Sequence, residues 1–290
     1  MKKLTAIISS LIAILAVSTT AFADSTVVIR PPDMATNISD VLAQPTSWFF
    51  YNDETDTIDN TLGLFVNGPA TPPAGSGSVT IAVSGTQRRN LSTYQFSGTP
   101  LADITTLAFS TYNPSAGNGG SANRSAYLNF NVDFNGTDTW QRRLVFVPSA
   151  NGTVTQDAWQ EWDAIDGGNA LWTYSGATWP VTGGAGTTAK TWNQILSDYP
   201  GVRVRVTDSW LGLRVGEPYA DGYTEYLDAF KFGTAAGTTL FDFEASEPAV
   251  FTKKDILINS GVTGRGLEFA PGLQKLFNPN SSASVKAGKK

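Results

Sequence analysis

Apolar and polar residues alternate with a period of two along short runs of this chain, and Gly, Asn, Asp and Pro separate the runs. That is the period of strands with one buried face, and turn residues at such short intervals belong to an all-β sandwich. The runs predict strands over 47–51, 62–66, 78–83, 90–97, 104–112, 125–135, 140–147, 170–174, 202–207, 210–215, 225–232 and 238–243. One segment departs from this pattern: 191–199 reads as a short helix, opened by Thr191 and ended by Pro200 and Gly201. The loops 67–77, 113–123 and 175–190 are rich in Gly, Pro, Ser and Thr, and the last is long enough to be a binding loop or simply mobile.

Two hairpins are readable in more detail. In the first, Leu128, Phe130, Val132 and Phe134 share one face and Asn129, Asn131 and Asp133 the other. If Asn135 pairs with Asp138 across the turn, Trp140 returns opposite Asp133 and Arg142 opposite Asn131. A shift of one residue brings Gln141 and Arg143 there instead. In the second, Val202, Val204 and Val206 face inward with Leu211, Leu213 and Val215, and Asp208-Ser209 forms the turn, so Arg203, Arg205, Trp210 and Arg214 share the outer face. Amides, arginines and an indole on one sheet surface offer planar forks for hydroxyls or carboxylates and a ring for the C–H face of a sugar. An ordinary solvated face laced with ion pairs is the alternative.

Composition changes this picture at the two ends. Residues 1–23 combine Lys2 and Lys3, a short apolar stretch and Ala21-Phe22-Ala23, which reads as a cleaved secretory signal with the mature chain starting at Asp24. No later stretch is long and apolar enough to span a bilayer. The formal charge of −5 is unevenly divided: 24–244 holds 11 basic and 22 acidic residues, whereas 245–290 holds 7 basic and 3 acidic. An acidic body argues against nucleic acid as a partner, which needs a basic stripe. The basic tail reads as a poorly ordered segment suited to docking or self-association.

The chain contains neither histidine nor cysteine. That removes disulfides, thiol nucleophiles, zinc thiolates and the usual general base, so any chemistry falls to carboxylates, arginines, amides and rings. Seven of the eight tryptophans lie between Trp140 and Trp210. Trp159, Trp162 and Trp172 read as core, Trp192 as packing the helix down, and Trp179, beside Pro180 in a Gly-rich loop, as an exposed platform. Asp53, Glu54, Asp56 and Asp59 crowd one turn, where calcium is the ion that oxygen ligands outside the cell would take, a solvated acidic turn being the alternative.

The strands at 225–233 and 238–244, ending in Phe241-Asp242-Phe243-Glu244, resemble the closing strands of extracellular jelly-roll modules. The stretch from Trp48 to Glu244 also resembles an uncharacterised group of secreted bacterial proteins, through 86–90, 140–144 and 159–163. The resemblance implies a jelly-roll antiparallel β-sandwich similar to carbohydrate-binding modules and concanavalin-like lectins, with a structural calcium that Asp228, Asp242 or Glu244 would help to hold; it implies no activity. Separately, Glu161, Asp163 and Asp166 resemble the three-acid signature of retaining jelly-roll glycoside hydrolases, which implies nucleophile, helper and acid in that order. Such a pair needs its carboxyls about 5 Å apart. Asp in the third position and the Gly167-Gly168 that follows leave a solvated turn as the other reading.

Together these observations predict a secreted, non-catalytic β-sandwich over 24–244 that binds extracellular polysaccharide or supports surface adhesion. Trp140, Trp179 and Trp210 would stack on sugar rings while Asn129, Asn131, Asp133, Arg142, Arg203, Arg205 and Arg214 hydrogen-bond to it, the arginines favouring acidic glycans. The competing expectations are a surface-layer subunit assembling through the tail and the glycoside hydrolase.

Overall fold

The computed structural model describes residues 24–116, 118, 123–216 and 222–245, all within the first of the two units into which the chain divides, Met1–Ala245 and Ser246–Lys290. The predicted signal peptide, 1–23, and all of the predicted tail after Ala245 lie outside the described residues. In chain order the elements are β1 (Ser25–Ile29), α1 (Ile38–Ala43), β2 (Trp48–Asn52), β3 (Thr57–Ile58), β4 (Leu64–Asn67), β5 (Gly77–Val83), β6 (Arg88–Thr93), β7 (Ile104–Tyr112), β8 (Tyr127–Asp133) and β9 (Arg143–Phe146). There follow α2 (Pro148–Asn151), β10 (Trp159–Asp163), β11 (Leu171–Tyr174), β12 (Lys190–Thr191), α3 (Trp192–Asp198), β13 (Arg203–Val204), β14 (Leu211–Gly216), β15 (Tyr223–Thr234) and β16 (Gly237–Phe243).

The strands form two sheets, of seven and nine strands, packed face to face as a β-sandwich. The first forks along β15, whose one edge is taken by β7 and whose other edge is shared by β5 and then β16. A bulge between Asp228 and Lys231, with Ala229 at φ 51, lets the strand change partners. The second sheet runs β12-β11-β9-β8-β14-β6-β2-β3, with β13 also on β8. Pairing between strands is antiparallel except for β1, which lies parallel to β16. Trp48 of the nine-stranded sheet ties the layers together, edge-on to Phe230, Phe241 and Phe243 with ring centroids 5.0 to 5.5 Å apart.

The predicted helix is present as α3. Thr191 accepts from Gln194 N at 3.1 Å and the Gln194 side chain accepts from Thr191 N at 2.8 Å, a closed capping box, while Trp192 and Ile195 bury the inner face. The alternation that predicted β8 is also present, but with a difference: Asn129, Asn131 and Asp133 on its polar face are buried, as is the whole strand.

Three further departures shape the outer surface of the nine-stranded sheet. First, 202–215 is not a hairpin. Both β13 and β14 run antiparallel to β8 on the same edge, Arg203 opposite Asp133 and Leu211 opposite Phe130, so they are two halves of one strand. Between them the chain leaves the sheet and returns: Arg205 N donates to Asn131 O at 3.0 Å, and Asn131 N donates to Trp210 O at 2.9 Å. Alternation continues through such an excursion unchanged, and the Asp-Ser pair at its tip looks the same in either topology. Second, the hairpin 127–146 closes in the shifted register, with Asn131 opposite Arg143. Asp138 does not pair with Asn135; its carboxylate accepts from the N–H groups of Val206 and Thr207, and the backbone reverses through Asp138 and Arg142 at positive φ. Third, loop 175–190 is a plug. Trp179 is 2% exposed, its indole donating to Thr188 O at 2.9 Å, and the turns cross so closely at Gly186 that a Cβ there would meet Gly176 O at 1.9 Å.

Candidate ligand-binding face

The outer face of the nine-stranded sheet is built on rows set by register. On β2, β6, β14, β8 and β9 the outward positions include Tyr51, Asn90, Arg214, Tyr127, Asn129, Asn131 and Arg143. Trp210 lies over this surface from the end of the 206–210 excursion. The Arg143 guanidinium is 4.7 Å from its ring centroid and that of Arg214 is 5.6 Å away. Arg143 also lies 5.8 Å from the Trp140 ring, and Arg205 lies 5.9 Å from the same ring. The result is a ladder, Arg205–Trp140–Arg143–Trp210–Arg214, in which each indole contacts two cations.

Asp53 supplies the counter-charge. It reaches Arg143 and Arg214 at 3.0 Å each and Arg88 at 3.4 Å. Burial acts to raise its carboxyl, but Arg214 and Arg143 outweigh that, so it titrates below the ordinary value. At the other end Arg203 pairs with buried Asp133 at 2.9 Å, Asp133 accepts the Gln141 amide at 2.8 Å, and Arg205 Nε donates to Asp138 O at 3.0 Å.

Only part of the ladder meets solvent. Trp140 is 46% exposed, whereas Trp210 is 3% exposed and sits in a small cluster with Ala35, Val41 and Phe49. Above that cluster opens a groove of about 590 Å³ between α1, β3 and the excursion. Tyr51 and Tyr94 form part of its lining, and each phenol is pinned by a carboxylate: Tyr51 donates to Asp56, and Tyr94 donates to Asp208 at 2.8 Å. Ile38 and Leu42 of α1, 50% and 66% exposed, form an apolar wall. Asp208 joins the groove to the ladder, since Arg205 reaches it at 3.7 Å and the Asn131 amide donates to it at 3.1 Å.

The sequence-predicted residues divide accordingly. Trp140 is exposed on the expected face, and Arg203 and Arg205 lie beside it, half-buried. Asn129, Asn131, Asp133, Arg214 and Trp210 are on the predicted face but buried, because the excursion and the Asp53 turn cover it. Asn129 donates to Gly212 O and Arg214 donates to Asn90, so they hold structure rather than ligand. Arg142 is exposed outside the ladder, and Arg143 takes its place through the register shift. Trp179 is core, against the expectation of a platform. Tyr51, Tyr94, Tyr127 and Asp208 were missed as site residues. A signal existed in 48–52, where Trp, Phe, Phe and Tyr leave no polar face, so something must cover both sides of that strand.

The five predicted metal ligands do not converge. Asp53 is held by arginines, Asp56 by Tyr51, and Asp59 caps Thr61 N at 2.9 Å. Asp228 and Asp242 are on the other sheet, and no group of three or more metal-ligating side chains comes together among the described residues. Each of the three candidate catalytic acids is placed by its own surroundings. Glu161 pairs with Lys231, Asp163 folds back to accept from Ile165 N and Asp166 N at 2.9 Å, and Asp166 follows in a turn at φ 47. On that sheet Trp159, Tyr112 and Tyr226 form a transverse row, but their planes meet at 58° and 89°, so they make no flat platform.

No protein-family model matches the sequence, and no curated protein does. Solved structures similar to it are carbohydrate-binding modules of the β-sandwich type. One is TmCBM61 in complex with β-1,4-galactotriose, at 10% identity and TM-score 0.31 over 69% of this chain and 94% of that one. Another is the family 30 carbohydrate-binding module of a cellulosomal cellulase of Clostridium thermocellum, at 14% identity and TM-score 0.32 over 60% of this chain and 91% of that one.

Proposed function

We propose that this chain is a secreted, non-catalytic module that binds extracellular polysaccharide through the outer face of its nine-stranded sheet. The observation that carries the reading is Trp140, a half-exposed indole held between Arg143 and Arg205 and one side chain away from a groove containing two tyrosines. A ring fixed in orientation loses little freedom when a sugar stacks on it, and hydroxyls find acceptors in the carboxylates next to it. The engagement of Glu161 by Lys231 and of Asp163 by the N–H groups of Ile165 and Asp166 supports binding without hydrolysis.

The arginines of the ladder do not by themselves favour an acidic glycan. Each is already engaged within the protein, Arg143 and Arg214 sharing Asp53 and Arg205 lying against Asp138 and Asp208. Calcium remains a proposal that rests on the resemblance alone, since Asp228, Asp242 and Glu244 do not come together as a group of three ligands; calorimetric titration of the calcium-free protein checks it, and no heat of binding would remove it. The function itself is tested on a glycan array with the wild type and Trp140→Ala. Binding to at least one polysaccharide class, lost in the variant, is expected; an empty array for the wild type would overturn the reading.

A further inference from the structure

The groove beside Trp140 differs in charge from the ladder behind it. Asp56 and Asp208 both line it, and no lysine or arginine does among the described residues. The two carboxylates line the same groove, and each accepts from one of its two tyrosines. Each tyrosine hydroxyl donates its one hydrogen bond to an aspartate, so the phenols have no further hydrogen to offer and the groove presents acceptors. Asp208 has partial relief from Arg205 at 3.7 Å, a separation beyond hydrogen-bond length. Among the described residues Asp56 accepts only from Tyr51. Facing these acceptors is the apolar wall of Ile38 and Leu42.

Resting on the carbohydrate-binding reading above, we infer that the groove takes a cationic amino sugar, that is, a polysaccharide in which at least some amines are not acetylated. An ammonium group is compact and carries only donors, which suits two carboxylates in one groove whose phenolic neighbours already donate to them. The saturated ring that bears it offers C–H faces to Ile38, Leu42 and the tyrosine rings, and the next residue of the polymer extends toward Trp140. A neutral sugar could use the acceptors but would leave the mutual repulsion of Asp56 and Asp208 in place. A calcium ion needs six to eight oxygens, far more than these two side chains supply. A lysine of a partner protein shares the ammonium chemistry but not the ring.

The test is calorimetric titration of the full chain, in low salt with chelator present, using two oligosaccharides of equal length and backbone: a β-1,4-glucosamine hexamer and its fully N-acetylated counterpart. The free amine form is expected to bind about tenfold more tightly, as a charge-assisted hydrogen bond implies, and to weaken in 0.5 M salt. Asp56→Asn, at an exposed position that leaves the fold undisturbed, and Asp208→Asn should each remove most of that difference while leaving the acetylated ligand unchanged. Equal affinity for the two hexamers, or full discrimination retained in Asp56→Asn, overturns the inference. If neutral glycans bind through Trp140 without discrimination, the charge assignment falls and the carbohydrate reading stands; if no glycan of either kind binds, both fall. Discrimination by a lysine-rich peptide but by neither hexamer would place a protein in the groove and also count against the amino sugar.

Discussion

The guanidinium of Arg143 lies 4.7 Å from the centre of the Trp210 ring and reaches Asp53 at 3.0 Å. Arg214 contacts the same ring and the same carboxylate. Two nearly buried arginines therefore share one counter-ion. Asp53→Ala is expected to cost about 3–5 kcal/mol in urea unfolding, because it strands both cations in a closed site. Since the folded carboxyl titrates below its ordinary value of 3.8, its contribution is present above that value and lost as pH falls through the depressed one. Acid unfolding should consequently begin at higher pH in Asp53→Asn; an unchanged acid midpoint would count against the shared counter-ion.

Trp140, the ring proposed to bind, contrasts with Trp179, a ring that packs. Trp140→Ala should change stability by less than about 1 kcal/mol, as expected for an exposed side chain. Trp179→Ala should cost about 3–5 kcal/mol, since it empties a space walled by Phe134, Tyr174 and Tyr199. Thermal melts of the two variants side by side check the contrast, and similar losses would mean that Trp140 is structural.

Asp228 makes the sandwich sensitive to pH in the neutral range. It is buried, burial pushes its carboxyl up to about 7, and its oxygens accept from Ala74 N and Phe243 N at 3.1 Å each. Glu225, wholly buried, is shifted the same way. For an acid whose folded value is raised, stability is fully present below the unfolded value near 3.8 and is lost as pH climbs through the folded one. The melting temperature should fall between about pH 4 and pH 7, Asp228 contributing up to about 4 kcal/mol of the change. Asp228→Asn should be less stable than the wild type at pH 5, because its amide would turn a donor toward one of two backbone donors. A melting temperature independent of pH over this window refutes the assignment.

Glu161 serves as a surface partner of Lys231, both partly exposed. Such a pair contributes about 0–1 kcal/mol, so Glu161→Gln should be nearly as stable as the wild type and no different in reducing-sugar release from β-glucans, which is expected to be at background in both. Release by the wild type that vanishes in Glu161→Gln would restore the hydrolase.

The sandwich itself was legible because alternation is local: each half-buried strand records its inward face in every second residue. What could not be read were features that leave alternation intact. The excursion at 206–210 preserves the period on both sides of the break, so a broken strand and a hairpin look alike. The one-residue shift that replaced Arg142 by Arg143 depends on Asp138 and Arg142 taking positive φ, a conformation that non-glycine residues do not advertise. Trp179 was misjudged because a Gly-rich loop was read as open, when its glycines allow the turns to cross and bury the ring. The groove was missed because its walls come from segments far apart in the chain, Ile38, Tyr51, Tyr94 and Asp208.

Both ends of the excursion are tied to a single residue, Asn131, through its own C=O and N–H. The sheet therefore sets where the excursion starts and stops but not how many residues lie between. Residues 206–209 could then be exchanged without displacing a strand, and on the proposed reading Asp208 among them would bear on which ligand is admitted. Selectivity is in this sense a replaceable cassette mounted on a constant frame, and related chains with the same sandwich would be expected to vary in recognition first at this point.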